Sequence, residues 1–198
     1  MAMKILLASN SPRRRELLTE LGIPFEIPAM VDVDESCPDT VPAMQRAQYV
    51  AKKKAEAYTV GPDELLITAD TTVVAGDSVL GKPADRDEAI AMLTLLSGRT
   101  HHVVTGVCLR NHTGIRAFSE VTAVTFRNLT ADDIAYYVDN CKPYDKAGAY
   151  GIQEWIGLAA VDAVCGCYTN VVGLPTSRLC AELQQLLGDD FGFWRRSR

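Results

Sequence analysis

Two β-branched runs, Val103 to Leu109 and Val121 to Phe126, lie on either side of Asn111-His112-Thr113-Gly114. Asparagine and glycine suit a tight reversal, so the pair predicts an antiparallel hairpin. The chain before it has a different rhythm. Ile5 to Ala8 reads as a short buried strand. Ser11-Pro12 then opens a helix, with serine as cap and proline at the first helical position. Leu17, Leu18 and Leu21 form its apolar face and Gly22 ends it. Alternation of strand and helix early, with hairpins later, predicts an α/β fold built on a mixed sheet.

The remaining elements follow from spacing. Phe25 to Ala29 reads as a strand. Val41 to Tyr58 has helical period, with Met44, Ala47, Ala51, Ala55 and Tyr58 along one side. Leu65 to Thr68 and Thr72 to Ala75 read as strands. Asp85 and Glu88 resemble a capping box before a helix that Ser97-Gly98 stops. Thr130 caps a helix through Tyr137 and Val138. Leu158 to Val164 and Tyr168 to Val172 read as strands. Pro175 starts a last helix with Leu179, Leu183 and Leu186 inward, and Phe191 to Arg198 reads as a frayed tail.

The chain has 198 residues and a net charge of -5. That length suits one domain, or two lobes sharing a sheet. An acidic surface does not attract nucleic acid, so a polyanion would need a local basic patch. No apolar run is long enough for a leader or a membrane span, which makes the cytoplasm the expected location. The six cysteines include no CxxC pair, and the three histidines complete no zinc pattern. Cys165 and Cys167 are read as small buried hydrophobes in a strand.

Six stretches could carry chemistry. Ser9-Asn10-Ser11-Pro12-Arg13-Arg14-Arg15 places three arginines at a helix N-terminus, where cations are disfavoured. A bound anion would resolve that conflict; solvated arginines paired with Glu16 or Glu20 are the equal alternative. In Lys52-Lys53-Lys54 the ordinary reading is a solvated face. Lys54 is the one at the edge of the alanine stripe, and Lys53 points away from it. Asp32-Val33-Asp34-Glu35 is either an acidic surface loop or a carboxylate cluster suited to a hard cation. Asp70 interrupts a run of strand formers, where aspartate is depleted; it is either hydrogen-bonded in a turn or held at a site, and ligands of α/β sheets gather at strand ends, which favours the site. Lys82, between Gly81 and Pro83, either serves a turn or acts as a point charge toward phosphate. The small residues of Asp145 to Gln153 permit close backbone approach, and Gln153 can donate and accept together, as a base edge requires; the plain alternative is a connecting loop.

Taken in order, these stretches resemble the Maf family of nucleotide pyrophosphatases. The matching segments are Ser9 to Leu18, Val33 to Ser36, Lys54-Ala55, Thr68 to Val73, Gly81 to Pro83, Asp145 to Gln153 and Asn170 to Pro175. The resemblance implies a single domain over residues 1–198, two-lobed around an elongated mixed β-sheet with flanking helices, with the active site in the cleft between lobes. It implies a homodimer, a divalent cation (Mg2+ or Mn2+), and cleavage of a nucleoside triphosphate between the α and β phosphates.

By the same resemblance Ser9, Arg13, Arg14, Lys54 and Lys82 hold the triphosphate. Glu35 binds metal together with Asp70, Asp34 competes for the role of Glu35, and Asp70 takes the proton of the attacking water. SPRR, ADT and AGAYGIQ resemble the branch acting on dTTP and UTP, not the branch preferring 7-methyl-GTP. Arg13, Thr71 and Gln153 are thus the specificity candidates. Glu154-Trp155-Ile156 departs from the small, glycine-rich continuation of that motif. The rival expectation is a nucleotide-binding regulator of cell division without turnover; the presence of Glu35, Asp70 and the cations weighs against it.

Overall fold

The computed structural model describes residues 3–188 and residue 191. The chain gathers into two compact units. One comprises Met1–Asp70, Thr105–Glu120 and Gly173–Arg198, and the other Thr71–Val104 and Val121–Val172.

In the first unit, strand β1 (Lys4–Leu7) runs parallel to β2 (Glu64–Ala75), with Leu7 opposite Ile67. Ile5, Leu6 and Leu7 are all buried, as a short strand covered on both faces requires. Ser11 is the N-cap and Pro12 the first residue of α1 (Pro12–Glu20), which buries Leu17 and Leu18. Gly22 follows at φ 69°, a conformation open to glycine and costly for other residues.

A 3-10 turn, Ala43–Gln45, leads into α2 (Arg46–Glu56), whose small residues Ala47, Ala51 and Ala55 are fully buried. They let the helix approach Gly106 of β4 (Thr100–Asn111) very closely. A Cβ at Gly106 would stand 2.3 Å from the Gln48 nitrogen. Two further bonds fix the helix from its neighbours. Thr68 Oγ1 donates to Ala51 O at 2.6 Å, and Arg110 Nη1 donates to Ala55 O at 2.8 Å.

β4 turns into β5 (Gly114–Phe126) through the expected reversal, where Asn111 Oδ1 accepts from the Thr113 and Gly114 N–H groups. The last helix in chain order, α7, spans Thr176–Leu187. Leu179 and Leu183 are buried, but Leu186 is 37% exposed. Glu182 takes the inward place instead, its carboxylate paired with Arg116 and Arg178.

In the second unit β3 (Ser78–Leu80), a strand the sequence pattern does not announce, pairs antiparallel with the end of β2. Asp85 caps α3 (Arg86–Leu96) by accepting from Glu88 N–H. The Glu88 carboxylate turns to Ala84 N–H, so only half of the expected box forms. Thr130 and Asp133 make the complete reciprocal cap of α4 (Ala131–Cys141). Helix α5 (Trp155–Ala159) precedes β6 (Val161–Cys165), which pairs antiparallel with β5. Helix α6 covers Tyr168–Val172. Among the described residues six strands form one sheet in the order β1-β2-β4-β5-β6, with β3 on β2.

Four further expectations are corrected. Phe25 to Ala29 is no strand; Glu26 alone bridges to Leu6, and Pro24 and Pro28 on either side lack the N–H a ladder needs. Tyr168 to Val172 is helical despite its β-branched residues. Asn170 is fully buried there, and its Nδ2 donates to Val103 O and Thr122 Oγ1, so tertiary contact overrides propensity. Leu158 belongs to α5 and is 88% exposed, not part of a strand. Cys165 is exposed at the end of β6, which among the described residues is an edge strand on β5, and Cys167 beyond it is half-buried. The expected frayed tail lies outside the described residues except for Phe191, which is buried.

Candidate active site

The turn from β1 into α1 places Ser9 almost out of solvent, at 4% exposed. Its hydroxyl accepts from Ser11 N–H at 3.2 Å and from Arg14 Nη1 at 3.3 Å. The Arg14 guanidinium also reaches backbone carbonyls. Besides Ser9, it donates to Ala69 O at 2.9 Å and to Gly173 O at 2.8 Å. Arg15 donates to Ser9 O. Arg14 and Arg15 thus direct these bonds to backbone carbonyls and to the Ser9 hydroxyl. Burial pulls the Arg14 guanidinium below its ordinary value; Asp70 and Glu35 act against that and Arg13 adds to it. Arg13, Arg14, Glu35 and Asp70 thus share one electrostatic neighbourhood.

Ala69, which receives Arg14, precedes Asp70 on β2. The sequence breaks its strand reading at Asp70, yet β2 is continuous from Glu64 to Ala75. A continuous strand gives the carboxylate a fixed direction, because side chains alternate strictly across it. Lys54, from the C-terminal turn of α2, meets it: Nζ stands 3.0 Å from Asp70 Oδ1 and 3.0 Å from Glu35 Oε1. Lys54 and Asp70 side chains are each 17% exposed, so this ammonium is shared by two carboxylates in a partly dry setting.

Asp34 points elsewhere. Lys53 Nζ lies 2.9 Å from Asp34 Oδ2 and 3.2 Å from Ser36 O. The Ser36 hydroxyl and backbone N–H also donate to Asp34, and together with Lys53 they hold its carboxyl far below the ordinary range. Lys53, which helical spacing turns away from the alanine stripe, so grips both neighbours of Glu35. Nothing in its local sequence separates it from a solvated surface lysine.

The other expected residues belong to the second unit. Thr71 is half-buried on β2. Lys82 is exposed just beyond β3, and the antiparallel register Val73 opposite Leu80 carries the chain back along β2 toward Thr71. Gly81 O accepts from Gly148 N–H at 2.9 Å. Gly148 has φ 67° and lies so close to Val73 that a Cβ would stand 2.9 Å from Val73 Cγ2. The loop Asp145 to Gln153 is a 3-10 turn, Ala147–Ala149, and then a turn carrying the exposed Gln153. Lys146 within it is 7% exposed. A single long cation amid small residues is the signal that singles it out in the sequence.

So Ser9, Arg13, Arg14, Glu35, Lys54 and Asp70 come together in the first unit, while Thr71, Lys82 and Gln153 lie in the second. A family model described as Maf-like protein matches residues 4–186. The chain belongs to the Maf-like family. Three relatives extend the comparison, each described as a dTTP/UTP pyrophosphatase. The Parabacteroides distasonis protein is 54% identical over 91% of this chain and 95% of its own length. The Bacteroides fragilis protein is 52% identical over 92% and 96%, and that of Porphyromonas gingivalis 50% identical over 96% and 94%. Among the described residues of this Maf-like chain no three or more His, Cys, Asp and Glu side chains gather to hold a metal. No helix among them is long and apolar enough to cross a membrane.

Proposed function

We propose that this Maf-like chain hydrolyses dTTP and UTP to the nucleoside monophosphate and pyrophosphate. The observation that carries the reading is Lys54, held at 3.0 Å by both Glu35 and Asp70 beside an arginine-bearing helix N-terminus. The relatives described as dTTP/UTP pyrophosphatases support the substrate class.

Within this reading Arg13, Arg14 and Lys54, with Lys82 from the second unit, neutralise the triphosphate, and Ser9 and the α1 amides bind its oxygens. Asp70 takes the proton from a water that attacks the α phosphorus in line, and pyrophosphate departs. Lys54 orients that carboxylate. No covalent intermediate is needed. Thr71 and Gln153 contact the base, and Arg13 helps to set specificity.

The donor set fits a hard divalent cation, Mg2+ or Mn2+. Two carboxylates close enough to share one ammonium are what such an ion takes from a protein when phosphates and waters complete its shell. Glu35 and Asp70 would hold it. When bound, the ion would neutralise phosphate charge and acidify coordinated water. The reading extends to a cytoplasmic homodimer.

The test is pyrophosphate release from a panel of natural and modified triphosphates with Mg2+ or Mn2+. Turnover of dTTP and UTP is expected. Preference for 7-methyl-GTP would overturn the branch assignment, and binding without any turnover would make the protein a nucleotide-binding regulator.

A further inference from the structure

Gln153 is exposed, yet the turn that carries it is firmly clamped. The turn runs from Gly151 to Glu154 and closes where Glu154 N–H donates to Gly151 O at 3.0 Å. Tyr137 on α4, fully buried, grips both ends. Its hydroxyl accepts from Gly151 N–H at 3.1 Å and donates to Glu154 Oε2. The second Glu154 oxygen lies 2.8 Å from Lys146 Nζ, which also reaches Asp145 Oδ1 at 2.7 Å. The Lys146 stem fills the space over Gly151, where a Cβ would meet Lys146 Cε at 3.0 Å and Glu154 Cδ at 3.1 Å. Burial, aided by the Glu154 carboxylate, raises the Tyr137 phenol well above its ordinary value, so it remains a donor.

Burying a lysine and engaging both oxygens of a glutamate is costly unless every partner is in place. Here that cost secures four residues, and the one side chain among them left in solvent is Gln153, flanked by buried Ile152 and engaged Glu154. Thymine and uracil present an imide N–H between two carbonyls. A carboxamide can accept from the N–H and donate to a carbonyl at once. That double contact is weakened when the backbone under the carboxamide must be ordered on binding.

We propose that Tyr137, Glu154 and Lys146 are positioning residues for pyrimidine recognition, holding the Gly151 to Glu154 turn so that Gln153 meets the base edge. The inference rests on the reading of Gln153 as a base-contacting residue. It predicts that loss of the clamp weakens base recognition and leaves the triphosphate-binding groups untouched.

The test compares Tyr137→Phe and Glu154→Gln with Gln153→Ala. KM and kcat are measured for dTTP, and Ki for inorganic tripolyphosphate, which carries the charge without a base. Each variant is expected to raise KM for dTTP about tenfold, with kcat and the tripolyphosphate Ki within about twofold of the starting protein. The double variant Tyr137→Phe/Gln153→Ala should be no worse than the weaker single variant, because both remove one shared contact. If Gln153→Ala raises KM while Tyr137→Phe and Glu154→Gln do not, the clamp has no positioning role and the base contact survives. If Gln153→Ala itself leaves KM unchanged, the base contact is wrong and the positioning role goes with it. A parallel rise in the tripolyphosphate Ki would show general loosening and also overturn the proposal.

Discussion

Lys54 Nζ and Asp70 Oδ1 stand 3.0 Å apart, joining a helix turn to the middle of a continuous strand. The same ammonium holds Glu35 from a loop. Removing the basicity of Asp70 with little change of shape isolates its chemical part. Asp70→Asn is expected to lower kcat for dTTP by about 10²- to 10⁴-fold, with a smaller effect on KM. Pyrophosphate release from the folded variant measures it; near-normal turnover would remove Asp70 as proton acceptor.

Arg14 separates geometry from charge. Its planar fork serves Ser9 Oγ, Ala69 O and Gly173 O together. A lysine keeps the charge but cannot span three such acceptors. Arg14→Lys should therefore cost stability of about 1–3 kcal/mol, by leaving part-buried carbonyls unmatched, and lower activity as well. Urea unfolding alongside dTTP turnover reads both, and a variant matching the starting protein in each would contradict the geometric role.

Gly106 sets how closely α2 can approach the sheet. A methyl group there would stand 2.4 Å from Ala47 O and 2.3 Å from Gln48 N, both backbone atoms that cannot swing aside. Gly106→Ala should displace the helix that carries Lys54. The expected cost is about 1–3 kcal/mol in unfolding free energy, with a fall in turnover. Unchanged unfolding would mean that the contact is looser than it stands.

Metal removal addresses the carboxylates. Chelation should abolish turnover, and Mg2+ or Mn2+ should restore it. Glu35→Gln should raise the metal concentration for half-maximal rate on the order of tenfold or more, whereas Asp34→Asn should change it less, since Asp34 faces Lys53 and Ser36. The reverse ranking would assign the ligand to Asp34.

His101 gives a pH dependence of stability. It is 1% exposed, packed edge-on against Phe126 and bonded to the Tyr150 hydroxyl at 2.8 Å. Burial, with help from His102, lowers it from 6.5 to about 4. As pH falls below 6.5, the unfolded chain takes up a proton that the folded chain refuses. Stability from this residue is full above pH 6.5 and is lost as pH falls toward 4, by about 3 kcal/mol. Denaturant titrations across that range should show the slope, and His101→Gln should flatten it.

Much of the scaffold was legible because its signals are local. Ser11-Pro12 marks the start of α1 and Thr130 with Asp133 the start of α4, since capping depends on residues within one turn. The hairpin at Asn111 to Gly114 is likewise carried by its own side chain. Where local propensity and tertiary contact disagree, contact prevails. Tyr168 to Val172 has strand-forming residues, but the buried Asn170 finds its partners on β4 and β5 from a helix. Glu182 falls on an apolar helix face only because two arginines wait there.

The amino-acid order by itself determined the α/β character, the starts of α1, α3 and α4 and the short roster of chemically capable residues, because period, caps and turns act over a few neighbours. The contact of Lys54 with both Glu35 and Asp70, the pairing of Asp34 with Lys53, and the grip of Tyr137 and Lys146 on the turn under Gln153 were decided by tertiary structure. Each depends on where separate elements point their side chains once packed. That direction is set by strand register, close helix approach and burial, quantities that no stretch of neighbouring residues contains.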